Sequence, residues 1–328
     1  MGRTGPGASV VSLGVHLIDI LARPVTALPQ GQAGELVDEI RLTAAGTAAG
    51  TSVDLAKLGV SVAAIGAIGD DLLGDLLTSI LRGYGIDITG LARKPGSQTS
   101  ATVLPIHPNG DRPSLHARGA SRFLELGDVD LDAIASAEIL HVGGPDALGR
   151  FSGEPLLQIL RFARGHATTI TMDVLGPGSP RLMQRLAPLL SLTDYLMPNE
   201  DQLLGLAGAA DPAEAALGLL DLGLGAVIAT RGIAGSFLCT RDGVLTYPAF
   251  GVSVVDTTGC GDAYSAGVIT ALLRGWGPEG GAWLGAAAAG LVAGGLGSDA
   301  GIVDLPTTLE FLAEHAPAAA ALLRGTKP

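Results

Sequence analysis

The sequence predicts an α/β fold built on a mostly parallel central sheet with helices on both faces. Three observations carry that expectation. Short apolar runs alternate with amphipathic stretches along almost the whole chain, as happens when each strand reaches the next through a crossover helix. The 328 residues are 47% hydrophobic and 16% charged, enough to bury the core of one large unit. Aromatic residues supply only 4% while glycine occurs 49 times, so the interior must be packed mainly from Ala, Leu, Val and Ile.

In chain order, strands are expected at Val10–Val15, Val62–Ile68, Ile139–Val142, Thr168–Asp173, Tyr195–Met197 and Ala226–Thr230. Each is a short, mostly apolar run of the kind that fits a buried strand. Helices are expected at Thr47–Leu58, Leu72–Arg82, Pro155–Arg164, Arg181–Leu190, Ala213–Leu222 and Ala263–Arg274, where apolar residues recur at the helical period. The charge-free run from Gly280 to Ser298 has the length of a membrane span. It is mostly Ala and Gly, which gain little by entering lipid. A tightly packed interior helix is expected there, and no membrane partner.

Two segments, 20–45 and 98–118, break the alternation with scattered Pro and Gly. Leu36 to Leu42 alternates apolar and polar residues, a period of two that suggests half-exposed antiparallel strands. They form either a small separate sheet or two unrelated hairpins. The whole of 1–328 is expected to be a single domain with these insertions.

The net charge of −12 argues against a nucleic-acid partner, which needs a basic face. Cys239 and Cys260 are the only cysteines and no secretory leader opens the chain, which fits a reducing cytoplasm. None of the three lysines follows a glycine, so there is no P-loop. The histidines and cysteines show no zinc spacing.

The most informative stretch is Asp256-Thr257-Thr258-Gly259-Cys260-Gly261-Asp262, set between the apolar run Val252–Val255 and the helix beginning at Ala263. A glycine-rich loop at a helix N-terminus can aim several backbone N–H groups at one anion. A carboxylate beside such a loop can serve as a base on a hydroxyl, which is what phosphoryl transfer to an alcohol requires. Cys260 sits where a thiol pKa is sometimes lowered, or it is simply a small residue serving the turn.

These residues resemble the D-T-T-G-x-G-D signature of the PfkB, or ribokinase-like, family of sugar and nucleoside kinases. Further motifs follow in that family's order from Val10 to Pro306. Val10 to Asp19 is similar to its first strand, Ala45-Gly46 onward to its G-G-x-x-x-N helix start, and Gly66 to Gly74 to its G-x-x-G-x-D-x-x-G turn. Pro198-Asn199-Glu200 is like its N-x-x-E site, and Thr230 to Gly235 is like its T-x-G-x-x-G segment.

The resemblance implies a ribokinase-like three-layer sandwich in which the insertions at 20–45 and 98–118 form a β lid over the acceptor, also a homodimer interface. It implies transfer of the γ-phosphoryl of ATP to a hydroxyl of a small sugar, or of a nucleoside, in the presence of Mg²⁺ and K⁺. The base would be Asp262 and the anion hole Gly259, Cys260 and Gly261. Asp19, Gly46, Gly50 and His16 would face the acceptor. Asn199, Thr230, Gly232 and Gly235 would face the nucleotide. Asp256, Thr258, Gly297 and Gly301 would hold a monovalent cation, and Glu200 would reach Mg²⁺ through water.

The chain departs from the pattern at three places. Gln202 stands for the usual Glu, Gly50 for the usual Asn, and Gly143-Gly144 for an acidic sugar ligand. These losses point away from ribose and toward a wider pocket for a nucleoside or a modified sugar acid. A non-catalytic sugar sensor is the contrasting possibility, and the intact Asp262 argues against it.

Overall fold

The computed structural model describes residues 7–325, so the ends of the expected domain, 1–6 and 326–328, lie outside the described residues. Strand β1 (Val10–Gly14) is buried along its whole length and leads into β2 (Leu17–Arg23) and β3 (Glu39–Ala45). Next come α1 (Thr47–Lys57), β4 (Val62–Gly69), α2 (Leu72–Gly83), β5 (Asp87–Lys94), β6 (Ala101–Pro105) and β7 (Leu115–Ala117). The chain continues through α3 (Leu131–Ser136), β8 (Ile139–Gly143), α4 (Glu154–Gly165), β9 (Thr169–Asp173), α5 (Pro180–Leu190) and β10 (Tyr195–Leu196). It ends with α6 (Glu200–Ala207), α7 (Pro212–Leu220), β11 (Ala226–Thr230), the hairpin β12 (Ser236–Thr240) and β13 (Gly243–Tyr247), α8 (Cys260–Leu273), α9 (Gly277–Ala293), α10 (Leu305–His315) and α11 (Pro317–Gly325).

Nine strands form one sheet in the order β13-β12-β11-β10-β9-β8-β1-β4-β5. From β5 to β11 the pairings are parallel, and the β12–β13 hairpin adds an antiparallel edge. Alternate residues of the strands divide between two cores. Val11, Leu13, Leu140 and Val142 pack with α4 to α7, whereas Val10, Ala64, Ile139 and Ile228 pack with α1, α8 and α9. That is the period-two side-chain alternation of a strand buried on both faces.

All six expected strands of this sheet are present within two residues of their expected ends. The sequence reading missed β5, whose exposed edge alternates polar and apolar residues, and the β12–β13 hairpin. The Ala-Gly-rich run is the interior helix α9. Gly267 of α8 faces Gly285 of α9 so closely that a Cβ would lie 2.6 Å from the Gly285 Cα. Small residues let the two backbones meet, which explains how a core so poor in aromatics fills its space. Among the described residues no single helix is long and apolar enough to cross a membrane.

The second sheet has four strands in the order β3-β2-β6-β7. It corresponds to the two segments that broke the alternation, although it begins earlier, at Leu17. One of its pairings, β2 with β6, is parallel rather than antiparallel, because the chain visits the main sheet between those strands. Register places Thr43, Asp19, Thr102 and His116 in one row across the four strands. The adjacent row, Leu42, Ile20, Val103 and Leu115, therefore points to the opposite face.

Candidate functional site

The carboxyl ends of β1, β8 and β9 lie side by side, with Gly14, Gly143 and Asp173 in register. β1 has β4 on one side and β8 on the other, so connections leave it in both directions. Ligands in such sheets bind in the crevice outside this switch point. Here the crevice opens into a cavity of about 1160 Å³, floored by the loop before α8 and roofed by the second sheet.

Gly259 caps α8 at φ 81°, and a Cβ there would strike Ser298. Glycine is needed for both reasons. Gly259, Cys260, Gly261 and Asp262 all line the cavity, at a helix end whose free N–H groups favour negative charge. The Asp262 carboxyl is pushed up to about 7, first by loss of water, then by the nearby Asp19 charge, with Arg112 pulling the other way. It is open only to the cavity, and the protein packed around it makes desolvation the largest cause. A carboxyl near 7 is about half ionised at neutral pH, and its ionised form keeps the basicity to take a proton. Burial pushes the Cys260 thiol up to about 12, so the helix end does not make it a thiolate.

Asp19 is buried yet lines the cavity, with its carboxyl raised to about 6, mainly by burial, against lowering by the Thr102 hydroxyl and Arg112. It does not close the first strand, as the sequence suggested. β1 stops at Gly14, and Asp19 is delivered two residues into the roof by β2. Arg112 donates from Nε to the Thr257 hydroxyl at 3.2 Å, tying the roof to the floor loop.

Gly46 caps α1 at φ 88° and lines the cavity, where a Cβ would sit 2.6 Å from the Val15 carbonyl. Gly50 and His16 are placed differently from expectation. Gly50 backs onto Asp262, so that a Cβ would overlap its carboxylate. His16 is fully buried, with Nδ1 3.0 Å from the Gly14 carbonyl and its ring against Gly66. Burial lowers it to about 4, so it is a neutral core residue behind the crevice.

On the far side, Asn199, Thr230 and Gly232 line the cavity at the ends of β10 and β11. Gly235 does not. It lies under the Tyr247 carbonyl, where a Cβ has no room. Asn199 caps α6 by accepting from the Gln202 N–H at 2.8 Å, and Gln202 Oε1 accepts from the Asn199 N–H in return. The Gln202 amide also donates to the Val174 carbonyl at 2.9 Å. Gln202 thus holds a turn together. Glu200 is engaged by Arg231 at 3.3 Å and does not line the cavity, which corrects its expected approach to Mg²⁺.

Asp256 is fully buried. One carboxylate oxygen accepts from the Thr258 N–H at 2.9 Å and hydroxyl at 2.8 Å, the other from the Gly297 N–H at 3.0 Å. Asp256, Thr258 and Gly297 thus meet, whereas Gly301 packs on the Leu291 carbonyl and stays apart. The loop carrying Gly297 is fixed by Asp299, which pairs with Arg41 of β3 at 2.9 Å and accepts from the Tyr84 hydroxyl at 3.0 Å.

Several cavity residues escaped the sequence reading, among them Asp173, Asp146, Arg112, and Arg181 and Arg185 of α5. Asp173, at the end of β9, is buried beside Ser265, and burial and the Asp262 charge raise its carboxyl well above the usual range. Asp146 follows the Gly143-Gly144 pair, but its oxygens accept from the Leu175 and Gly176 N–H groups at 2.9 and 2.8 Å. It shapes the rim. Arg112 begins the alternate series Arg112, Ser114, His116 and Arg118, all lining the cavity. Of these only His116 lies on β7, so strand alternation accounts for its face alone.

Comparison with known proteins bears on the family and the fold. The model of the pfkB family carbohydrate kinases matches residues 8–304. Fructokinase-2 of Oryza sativa subsp. japonica is 29% identical over 263 residues, covering 78% of this chain and 77% of its own length. A chain described as ribokinase II from E. coli, solved with ATP and Mg²⁺, superposes with a TM-score of 0.82 at 22% identity, covering 94% of this chain and all of that one. The adenosine kinase of Sinorhizobium meliloti does so at 0.81 and 23%, covering 93% and 99%. At such identities the superpositions speak for the fold.

Proposed function

The chain belongs to the pfkB family of carbohydrate kinases, and from that premise we propose that Asp262 is the base in a transfer of the γ-phosphoryl of ATP to a hydroxyl of a small sugar. The acceptor hydroxyl gives its proton to Asp262 as its oxygen bonds to the γ-phosphorus. The bond to the β,γ-bridging oxygen breaks, and that oxygen leaves with the electron pair on ADP. The Gly259–Gly261 loop stabilises the charge that develops on the transferring group. Asp19 accepts from acceptor hydroxyls, and Asn199, Thr230 and Gly232 border the nucleotide. One observation carries this reading: Asp262 lies beside the anion loop, facing the cavity, with its carboxyl raised to about 7.

Mg²⁺ is a cofactor of the reaction in this reading, but the α6 turn suits it poorly as a direct ligand, since Gln202 is neutral and Glu200 is paired. The nucleotide's own phosphates are then its anchor. Asp256 already accepts from the Thr258 N–H and hydroxyl and from the Gly297 N–H, so a K⁺ beside it would depend on carbonyl oxygens of the same loops to complete its ligands, and would add positive charge behind the anion loop. The second sheet acts as the lid. Its outer row is apolar and open to solvent, with Leu42, Val103 and Leu115 between 40% and 59% exposed. Such a row favours a homodimer joined lid to lid.

ADP release measured across neutral sugars, sugar acids, sugar phosphates and nucleosides tests the assignment. Acceptor-dependent ADP release with at least one class is the expected result. Stoichiometric acceptor binding without any ADP release would instead favour a sensor.

A further inference from the structure

The stretch from Arg112 to Arg122 contains three arginines, one histidine and no acidic residue, in a chain whose net charge is −12. Arg112, His116, Arg118 and Arg122 all line the cavity. Six other arginines, Arg41, Arg93, Arg161, Arg164, Arg231 and Arg241, each make an ion pair with a carboxylate. Arg112, Arg118 and Arg122 make none among the described residues, and neither do Arg181 and Arg185, which line the cavity from α5. Arg112 has the charges of Asp19 and Asp262 for company, which leaves Arg118 and Arg122 as the two of this stretch that line the cavity without an anion.

Their position assigns them to the acceptor end. Arg118 lies two residues beyond His116, which stands in the same row as Asp19, and His116 bonds to the Thr102 hydroxyl at 3.1 Å. Arg122 backs onto the Gly149 turn just beyond β8, with its guanidinium 4.6 Å from the Phe123 ring centroid. The nucleotide side is marked by Asn199, Thr230 and Gly232 at β10 and β11. Three to four strand spacings separate these from β1, roughly 14–19 Å.

A guanidinium has donors only and matches the paired oxygens of a carboxylate or phosphate. A neutral polyol is better served by carboxylates, and at the end of β8 this chain has Gly143-Gly144 and an Asp146 occupied by backbone amides. We propose that the acceptor is an anionic sugar, whose carboxylate or phosphate pairs with Arg118 and Arg122 while Asp19 holds a neutral hydroxyl. This rests on the kinase reading and narrows its substrate class.

The test uses probes matched except for charge: D-gluconate against D-glucitol, D-ribose 5-phosphate against D-ribose, and adenosine. Each is assayed by thermal shift at constant ionic strength and by ADP release. The anionic member of at least one pair should raise Tm more than its neutral partner and be turned over at least ~10-fold better in kcat/KM. Which pair responds distinguishes carboxylate from phosphate. Arg118→Gln with Arg122→Gln should abolish the preference through acceptor KM, leaving the KM for ATP within about twofold, and lysine at both positions should restore part of it. The proposal is overturned if neutral probes or adenosine bind and react as well as the anions. It is equally overturned if no anion shifts Tm, or if the glutamine variants keep the preference. An arginine-dependent anion shift without any ADP release would leave the anion site standing and remove the kinase reading instead.

Discussion

The floor of the cavity and its roof are made in opposite ways. The floor is one continuous loop, Asp256 to Asp262, in which sequence neighbours are spatial neighbours and the backbone supplies the chemistry. The roof is assembled from β2, β3, β6 and β7, whose rows join residues such as Asp19, Thr102 and His116 across some hundred positions of chain. In the proposed reading the floor fixes the reaction and the roof chooses the acceptor. The two meet where Arg112 donates to Thr257.

The sharpest way to break this division is at the floor. Asp262→Asn keeps the shape and removes the base, and should lower kcat by ~10²–10⁴ with ATP binding within a few fold. Steady-state kinetics and nucleotide titration check it, and near wild-type turnover would take Asp262 out of the role.

At the roof the expected effect is smaller and falls on a different constant. Asp19→Ala removes a charged acceptor of hydroxyl hydrogen bonds, worth ~10–100-fold in acceptor KM. The KM for ATP should hold. If Asp19 merely filled the roof, both constants would stay put.

The same contrast decides what was legible. Six of the nine strands of the main sheet and the α8 loop could be read because their signals are local: an apolar run, a glycine-rich turn, a carboxylate in the first helical turn. Asp19 could be chosen from the sequence but not placed, since nothing local says that β1 ends at Gly14. His16 was misjudged because its neighbour Gly66 comes from another strand. Glu200 and Gln202 are placed otherwise than their motif suggests because Arg231 and the Val174 carbonyl, distant in sequence, claim them.

A pH profile sharpens the coupling between the two regions. Asp262 acts only when ionised, so kcat/KM should fall toward tenfold per unit as pH drops below about 7. Asp19 raises the Asp262 pKa and Arg112 lowers it. Asp19→Asn should therefore move the acid limb to lower pH, and Arg112→Gln should move it to higher pH. A limb that ignores both substitutions would mean that burial alone sets the floor.

The smallest effect on turnover is expected on the outer face of the roof. Leu42, Ile20, Val103 and Leu115 share a row in register, and side chains in that row point away from Asp19. Placing a charge there desolvates badly in a lid-to-lid contact but costs little in a free monomer, because the site is already open to water. Leu42→Glu with Leu115→Glu should convert a dimer to a monomer in sedimentation velocity, while kcat at saturating acceptor stays within about twofold, since the floor is intact. A variant that stays dimeric would place the interface elsewhere. If the monomer instead lost turnover along with association, the roof would be shaping the floor through more than Arg112, and the division of labour between them would have to be redrawn.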